Sequence, residues 1–351
     1  MIWPLPNSHL VVKRGGVFVF ILYFCLCLTQ SNDDMQIIRF IKDWTLPVAI
    51  GTGIIVYLIF ALVPALDGFA RAAEPVFDTM LPTFMFLVLF VTFCKVDFHK
   101  LRPVAWHLWI GVFQVLTVAA VVAVIMAFNL TGDSLTLAEA VLTCIICPCA
   151  SAAAVVTQKL GGNLEEMTTY TFVSNLITAL LIPVCFPMID KAADIHFLEA
   201  FTLILYKVFT VLVVPMILAY LVKHHAKRLC ERITSVKDLS YYLWGCSLLI
   251  VSGTTMKNIL HANTTVTFLL TIAACSLLLC LFQFACGRAI GSRFGQTINA
   301  GQALGQKNTA FAIWIACAYL TPLSSVGPGC YILWQNIINS WEIWDAQRKR
   351  S

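Results

Sequence analysis

Charge is scarce in this chain. Asp, Glu, Lys and Arg make up 12% of its 351 residues, against about 25% in an ordinary soluble domain. Hydrophobic residues make up 60%, the composition of an all-α polytopic membrane protein embedded in a lipid bilayer. The motifs of membrane enzymes are missing too. No H-E-x-x-H, no G-x-S-x-G and no pair of intramembrane aspartates occurs, and His107 and His261 stand near span ends away from acidic partners. No enzyme activity, cofactor or nucleic-acid partner is expected. Loops are short and no soluble output domain is present, which argues against a sensor. Cysteine is plentiful, at 14 residues, but most lie singly in apolar runs, as polarizable packing residues do. Cys144, Cys147 and Cys149 have no second cluster to complete a zinc site, so no metal is expected there.

A bilayer span needs roughly 17–25 apolar residues. Ten runs qualify: 44–65, 75–94, 104–128, 135–158, 166–190, 197–222, 239–256, 263–287, 296–320 and 325–344. If the segment before the first run is cytoplasmic, the cytoplasmic segments carry 16 Lys and Arg and the opposite loops 3. Positive charge gathers on the cytoplasmic side, so an even span number in a cytoplasmic (inner) membrane is predicted, with both termini and the tail 345–351 inside. Residues 1–34 fit less well. Lys13-Arg14 precedes an apolar run of about 14 residues that resembles a signal-peptide core, without a small-x-small cleavage site. They are read either as an over-long N-terminal extension or as a genuine extra segment.

The runs divide into two sets of five, over 44–190 and 197–344. An odd number per half gives the halves opposite orientations, which is an inverted repeat. The fourth run of each half is the irregular one. Run 4 carries Pro148 and the small residues Cys149 to Ala154; run 9 carries Gly301, Gln302, Gly305, Gln306, Lys307 and Asn308. Paired interrupted spans point to a transporter binding site, with helix breaks expected near 148–154 and 301–308. Lys307 is a cation in the middle of such a span, which is costly and marks a functional position.

Three motifs are identifiable at this point. Cys147-Pro148-Cys149-Ala150-Ser151-Ala152-Ala153-Ala154-Val155-Val156-Thr157, continuing to Gly162-Asn163, resembles the span-4 signature of the bile acid:sodium symporter family. Gly305-Gln306-Lys307-Asn308-Thr309-Ala310 resembles its span-9 signature, and Trp334-Gln335-Asn336 its span-10 motif. The resemblance covers about residues 40–345. It implies ten helices in an inverted five-helix repeat. Spans 1, 2, 6 and 7 would form a panel and the rest a core, with broken helices 4 and 9 crossing at the membrane centre. A small organic anion would bind between panel and core by alternating access.

Departures from the family pattern are informative. The resemblance places a sodium-holding Ser-Asn pair where Ala153-Ala154 stands, a serine ligand at Met167 and an acidic ligand at Ala303, while Thr171 is retained. Sodium wants oxygen donors, which methyl and thioether groups do not supply. At the second ion site Gln114 is retained and the facing glutamine has become Lys307. Its ammonium could stand in for the ion, brace the break, or touch substrate. Gln302, Gln306, Asn308 and Ser151 complete the expected lining. Gln335 and Asn336 either line the cleft or fasten span 10. Asn175, with Ser174 and Thr178, either joins helices or lines the site. Lys207 either snorkels or attracts anions into the cleft. Trp106, Trp109, Trp341 and Trp344 are expected as interfacial anchors. The reading is a secondary transporter of a small organic anion, not coupled to sodium in the usual two-ion way. Its rivals are a sodium-coupled symporter with altered ligands and a non-transporting membrane sensor.

Overall fold

A computed structural model describes residues 45–189, 197–236, 239–261 and 264–350. The extension 1–34 lies outside the described residues, as do Arg39, Lys42, Lys191 and Lys237 of the charge count. The described regular structure is helical: α1 Thr45–Leu62, α2 Asp67–Cys94, α3 Ala105–Ala127, α4 Gly132–Ile146, α5 Ala153–Leu160, α6 Leu164–Ile189, α7 Phe197–Leu212, α8 Val214–His225, α9 Lys227–Ser235, α10 Leu239–Leu260, α11 Val266–Ser292, α12 Thr297–Gly305, α13 Thr309–Tyr319 and α14 Val326–Arg350.

Four stretches are long and apolar enough to cross a membrane: α3, α6, α11, and α7 with α8 taken as Leu198–His225; shorter apolar helices accompany them. In hydrocarbon a helix is favoured because every backbone group finds its partner within the segment. The outward faces fit that solvent. Leu108, Leu116, Leu180 and Leu278 are each 63–67% exposed, which water would penalise and lipid does not. This is an integral, polytopic membrane protein.

The helices pack in two groups. In the first, α1 lies on α10, and α2 lies on α7, α8 and α10. Gly53 permits the α1–α10 approach: a Cβ there would stand 2.2 Å from the Leu249 carbonyl oxygen. In the second, α3 packs on α4 and α6, α11 on α12 and α14, and α4 on α11, α13 and α14. α6 and α7 run side by side and join the groups.

Trp106 departs from the expected interfacial role. It is buried, and its indole Nε1 donates to Glu166 Oε2 at 2.7 Å. The carboxylate at the start of α6 supplies the acceptor that headgroups would otherwise offer. Trp109, Trp341 and Trp344 are exposed.

Candidate functional site

Two interrupted helices build the site. α4 stops at Ile146 and α5 starts at Ala153; α12 stops at Gly305 and α13 starts at Thr309. Pro148 has no amide hydrogen and pushes the preceding residue out of the helical region; Cys147 is accordingly extended. Breaking a helix in hydrocarbon strands backbone groups, and here each break satisfies the other. The Ala150 amide donates to Gln306 O and the Asn308 amide to Pro148 O, each at 2.9 Å, forming an antiparallel bridge between Cys149 and Lys307. The Asn308 side chain caps α13 by accepting from the Phe311 amide at 3.2 Å.

Side chains from neighbouring helices brace the crossing. Ser174 Oγ accepts from the Cys149 amide at 2.8 Å, and Thr178 Oγ1 donates to Ile146 O at 2.8 Å. Gln335 reads the Lys307 backbone twice: Oε1 accepts its amide hydrogen at 2.9 Å and Nε2 donates to its carbonyl at 3.2 Å. Tyr331 donates its hydroxyl to Gly305 O at 2.8 Å, and Gln283 donates to that hydroxyl at 3.0 Å.

Lys307 points away from solvent, at 1% exposure. Its Nζ donates to Ile145 O at 3.0 Å and Cys147 O at 3.2 Å. These carbonyls belong to the last turn of α4 and the residue after it, where a helix leaves acceptors unsatisfied and concentrates partial negative charge. Gln114 approaches the same place. Its Nε2 donates to Ile145 O, Ile146 O and Cys147 O at 3.1–3.4 Å. An ammonium and an amide thus share the end of one broken helix.

The other positions of interest lie in an apolar cluster. Ala153, Ala154, Met167 and Ala303 are buried in one cluster with Trp106, Ile110, Tyr170 and Leu304. Thr171 spends its hydroxyl on Met167 O at 3.1 Å, within its own helix.

A cavity of about 910 Å³ opens beside the crossing. One wall comes from α2 and α10, including Met85, Val88, Tyr242 and Trp244; the other comes from the breaks. Ser151, Thr171, Gln306, Lys307, Asn308, Gln335 and Asn336 all line it, and the first turns of α5 and α13 face it through Ala154 and Thr309. Lys95, Lys100 and Lys159 stand at the mouth with Asp97 and Glu165. The exposed Lys100–Glu165 pair, 2.9 Å apart, raises the Lys100 pKa through its hydrogen bond. Gln114 sits behind Lys307 rather than in the lining.

Three expected residues lie elsewhere. Gln302 donates to Asn339 Oδ1 at 3.0 Å and to Glu342 Oε2 at 2.9 Å, and Glu342 is ion-paired with Arg288. Asn175 turns back to Thr171 O at 2.7 Å. Lys207 is exposed, with its ammonium 5.5 Å over the Tyr319 ring. Gln283, Tyr331 and the α2–α10 wall were not singled out from sequence. Each is an ordinary residue in an apolar run, and only the crossing gives it a partner.

A model of the sodium bile acid symporter family matches residues 82–282, more than half of the chain. The chain belongs to the sodium bile acid symporter family. No curated protein matches it. The matched stretch contains the first break and ends within α11, before the second break and Lys307. Membership makes this a transport protein of the membrane, and a secondary transporter is the activity the family suggests.

Proposed function

We propose that this protein moves a small organic anion across the cytoplasmic membrane by alternating access, with Lys307 in place of a bound cation. The carrying observation is the Lys307 ammonium on the Ile145 and Cys147 carbonyls, beside Gln114. A resident positive charge there offsets the carbonyl dipoles that an ion would otherwise neutralise. The apolar cluster of Ala153, Ala154, Met167 and Ala303 supports loss of the other ion site.

In this reading ten spans form an inverted repeat over 44–190 and 197–344. The first packing group moves as a panel against the second, the core, and both termini lie in the cytoplasm. The cavity mouth, with Lys95, Lys100 and Lys159, is then cytoplasmic, and the protein is open inward. Anion preference rests on the buried ammonium and on two helix N-termini facing the cavity, which favour negative charge. Lys307, Gln306, Asn308, Ser151, Thr171, Gln335 and Asn336 form the proposed lining, with Gln114 as the partner of Lys307.

The test is flux of a candidate carboxylate into proteoliposomes, with sodium exchanged for choline at constant ionic strength. Equal rates are expected. A steep sodium requirement would support the rival symporter with altered ligands, and binding without flux would support a sensor.

A further inference from the structure

Asn258 lies at the far end of the molecule from the cavity mouth. On α10, Ser240, Tyr242, Trp244 and Ser247 line the cavity, and Asn258 comes 11 residues beyond Ser247, about 16 Å further along the helix. There its side chain crosses to the other packing group. Nδ2 donates to Ser325 Oγ at 2.8 Å, to Pro322 O at 3.2 Å and to Cys317 Sγ at 3.3 Å. All three acceptors belong to the end of α13 and the 3₁₀ turn Pro322–Ser325 that follows it.

The second group anchors this turn independently. Glu139 of α4 is buried and accepts the Thr321 amide at 3.1 Å through Oε2. The first group grips it again from another side, with the Lys207 ammonium over the Tyr319 ring. One helix turn below Asn258, Thr255 meets Gly329 so closely that a Cβ on Gly329 would stand 2.7 Å from its methyl carbon. The turn is therefore fixed to one group and held by the other through a few replaceable contacts, opposite the open mouth.

We propose that Asn258 is the latch of the closed face, whose hydrogen bonds to the Cys317–Ser325 segment hold the cavity open on one side by keeping it shut on the other. The inference rests on the alternating-access reading and adds the residue that sets its equilibrium. Neither Asn258 nor its hydrogen-bond partners line the cavity, so its role is positional. Removing its side chain weakens a state in which the mouth is open, so the effect must appear at both ends of the molecule.

Hydrogen exchange of the full-length protein, without ligand, reads both ends at once. In Asn258→Ala, exchange across 317–325 is expected to rise about tenfold, while exchange across 148–156 and 306–310 falls as the mouth closes. Faster exchange at 317–325 with no change at the cavity would make Asn258 a local support and overturn the proposal, as would no change anywhere. Asn258→Cys gives the opposite perturbation. Treated with diamide, its thiol and that of Cys317 lose two protons and two electrons to form a disulfide, and diamide becomes the hydrazine. The cross-linked protein should be protected at 317–325 and keep its cavity segments exchanging. Two free thiols by mass, or exchange at 317–325 as fast as in Asn258→Ala, would refute the latch. Neither readout needs a substrate, so failure here leaves the flux and sodium tests of Lys307 standing.

Discussion

Replacing Lys307 by glutamine removes the ammonium and leaves an amide that does not reach as far. Two hydrogen bonds are lost, at 3.0 and 3.2 Å. Bonds from a charged donor contribute about 1.5–3 kcal/mol each, a gross loss of about 3–6 kcal/mol. Two effects pull the net loss to the low end. Gln114 still donates to both carbonyls, so neither is orphaned, and the variant no longer desolvates a charge. For a chain of 351 residues, a net cost of about 3 kcal/mol corresponds to a fall in melting temperature of about 4 °C. The variant also rebuilds a pocket of neutral oxygens where the ammonium was. Sodium should therefore stabilise Lys307→Gln and leave the wild type unchanged. At about 100 mM sodium and a Kd of about 10 mM, linkage gives about 1.4 kcal/mol, a partial recovery of roughly 2 °C. Thermal unfolding in detergent, with choline matching the ionic strength, measures both effects. Wild-type stability and flux in Lys307→Gln without sodium would refute the idea that the ammonium replaces an ion.

Other substitutions probe the surroundings. Ala303→Asp places a carboxylate in a fully buried apolar cluster, so it should cost about 3 kcal/mol or more and lower the melting temperature. Sodium should not rescue it, because Ala153, Ala154 and Met167 still offer no side-chain oxygen. Gly287→Ala puts a Cβ 2.4 Å from the Ala300 carbonyl oxygen. Backbone must shift to admit it, and a loss of about 1–3 kcal/mol is expected in the same assay. The Lys100–Glu165 pair is more than half exposed on both sides, so Lys100→Gln should change stability little. Because the Lys100 pKa is raised above 10.5, whatever the pair contributes is complete below that value and is lost only as pH rises past it. The difference between wild type and Lys100→Gln should therefore be flat from neutral pH to about 10 in melting curves.

Much of this architecture was legible because hydrocarbon imposes simple rules. Apolar runs of sufficient length appear as helices, and Pro148 marks the first break through its missing amide. The second break was harder to place. Gly301 and Gly305 invited an interruption from 301 onward, yet α12 continues to Gly305. Gly301 serves packing instead, since a Cβ there would meet the Arg288 side chain at 2.7 Å. Lys307 stood out because a cation within an apolar span is costly and needs partners. Gln114 was legible as its neighbour, but not which carbonyls of the break, those of Ile145 and Cys147, the ammonium would meet, because backbone carbonyls carry no sequence signature. Gln302 was misleading for the opposite reason. It is polar and adjacent to the motif, but a helical turn carries it to Asn339 and Glu342, away from the cavity. Trp106 shows the same limit, since a tryptophan near a span end looks like an anchor until a carboxylate from another helix claims its N–H.

The bridge between Cys149 and Lys307 has a consequence for biogenesis. Each break borrows its missing backbone partners from the other, but the ribosome makes them far apart in time. Lys307 follows Cys147 by 160 residues, which at roughly 5–20 residues per second is a delay on the order of 10 s. Throughout that interval the Ala150 amide and the Pro148 carbonyl have no second break to pair with. Stable exposure of such groups to lipid is prohibitive. The nascent first half must therefore wait at a hydrated or protein-lined boundary, and release into the bilayer is coupled to synthesis of the α12–α13 connection.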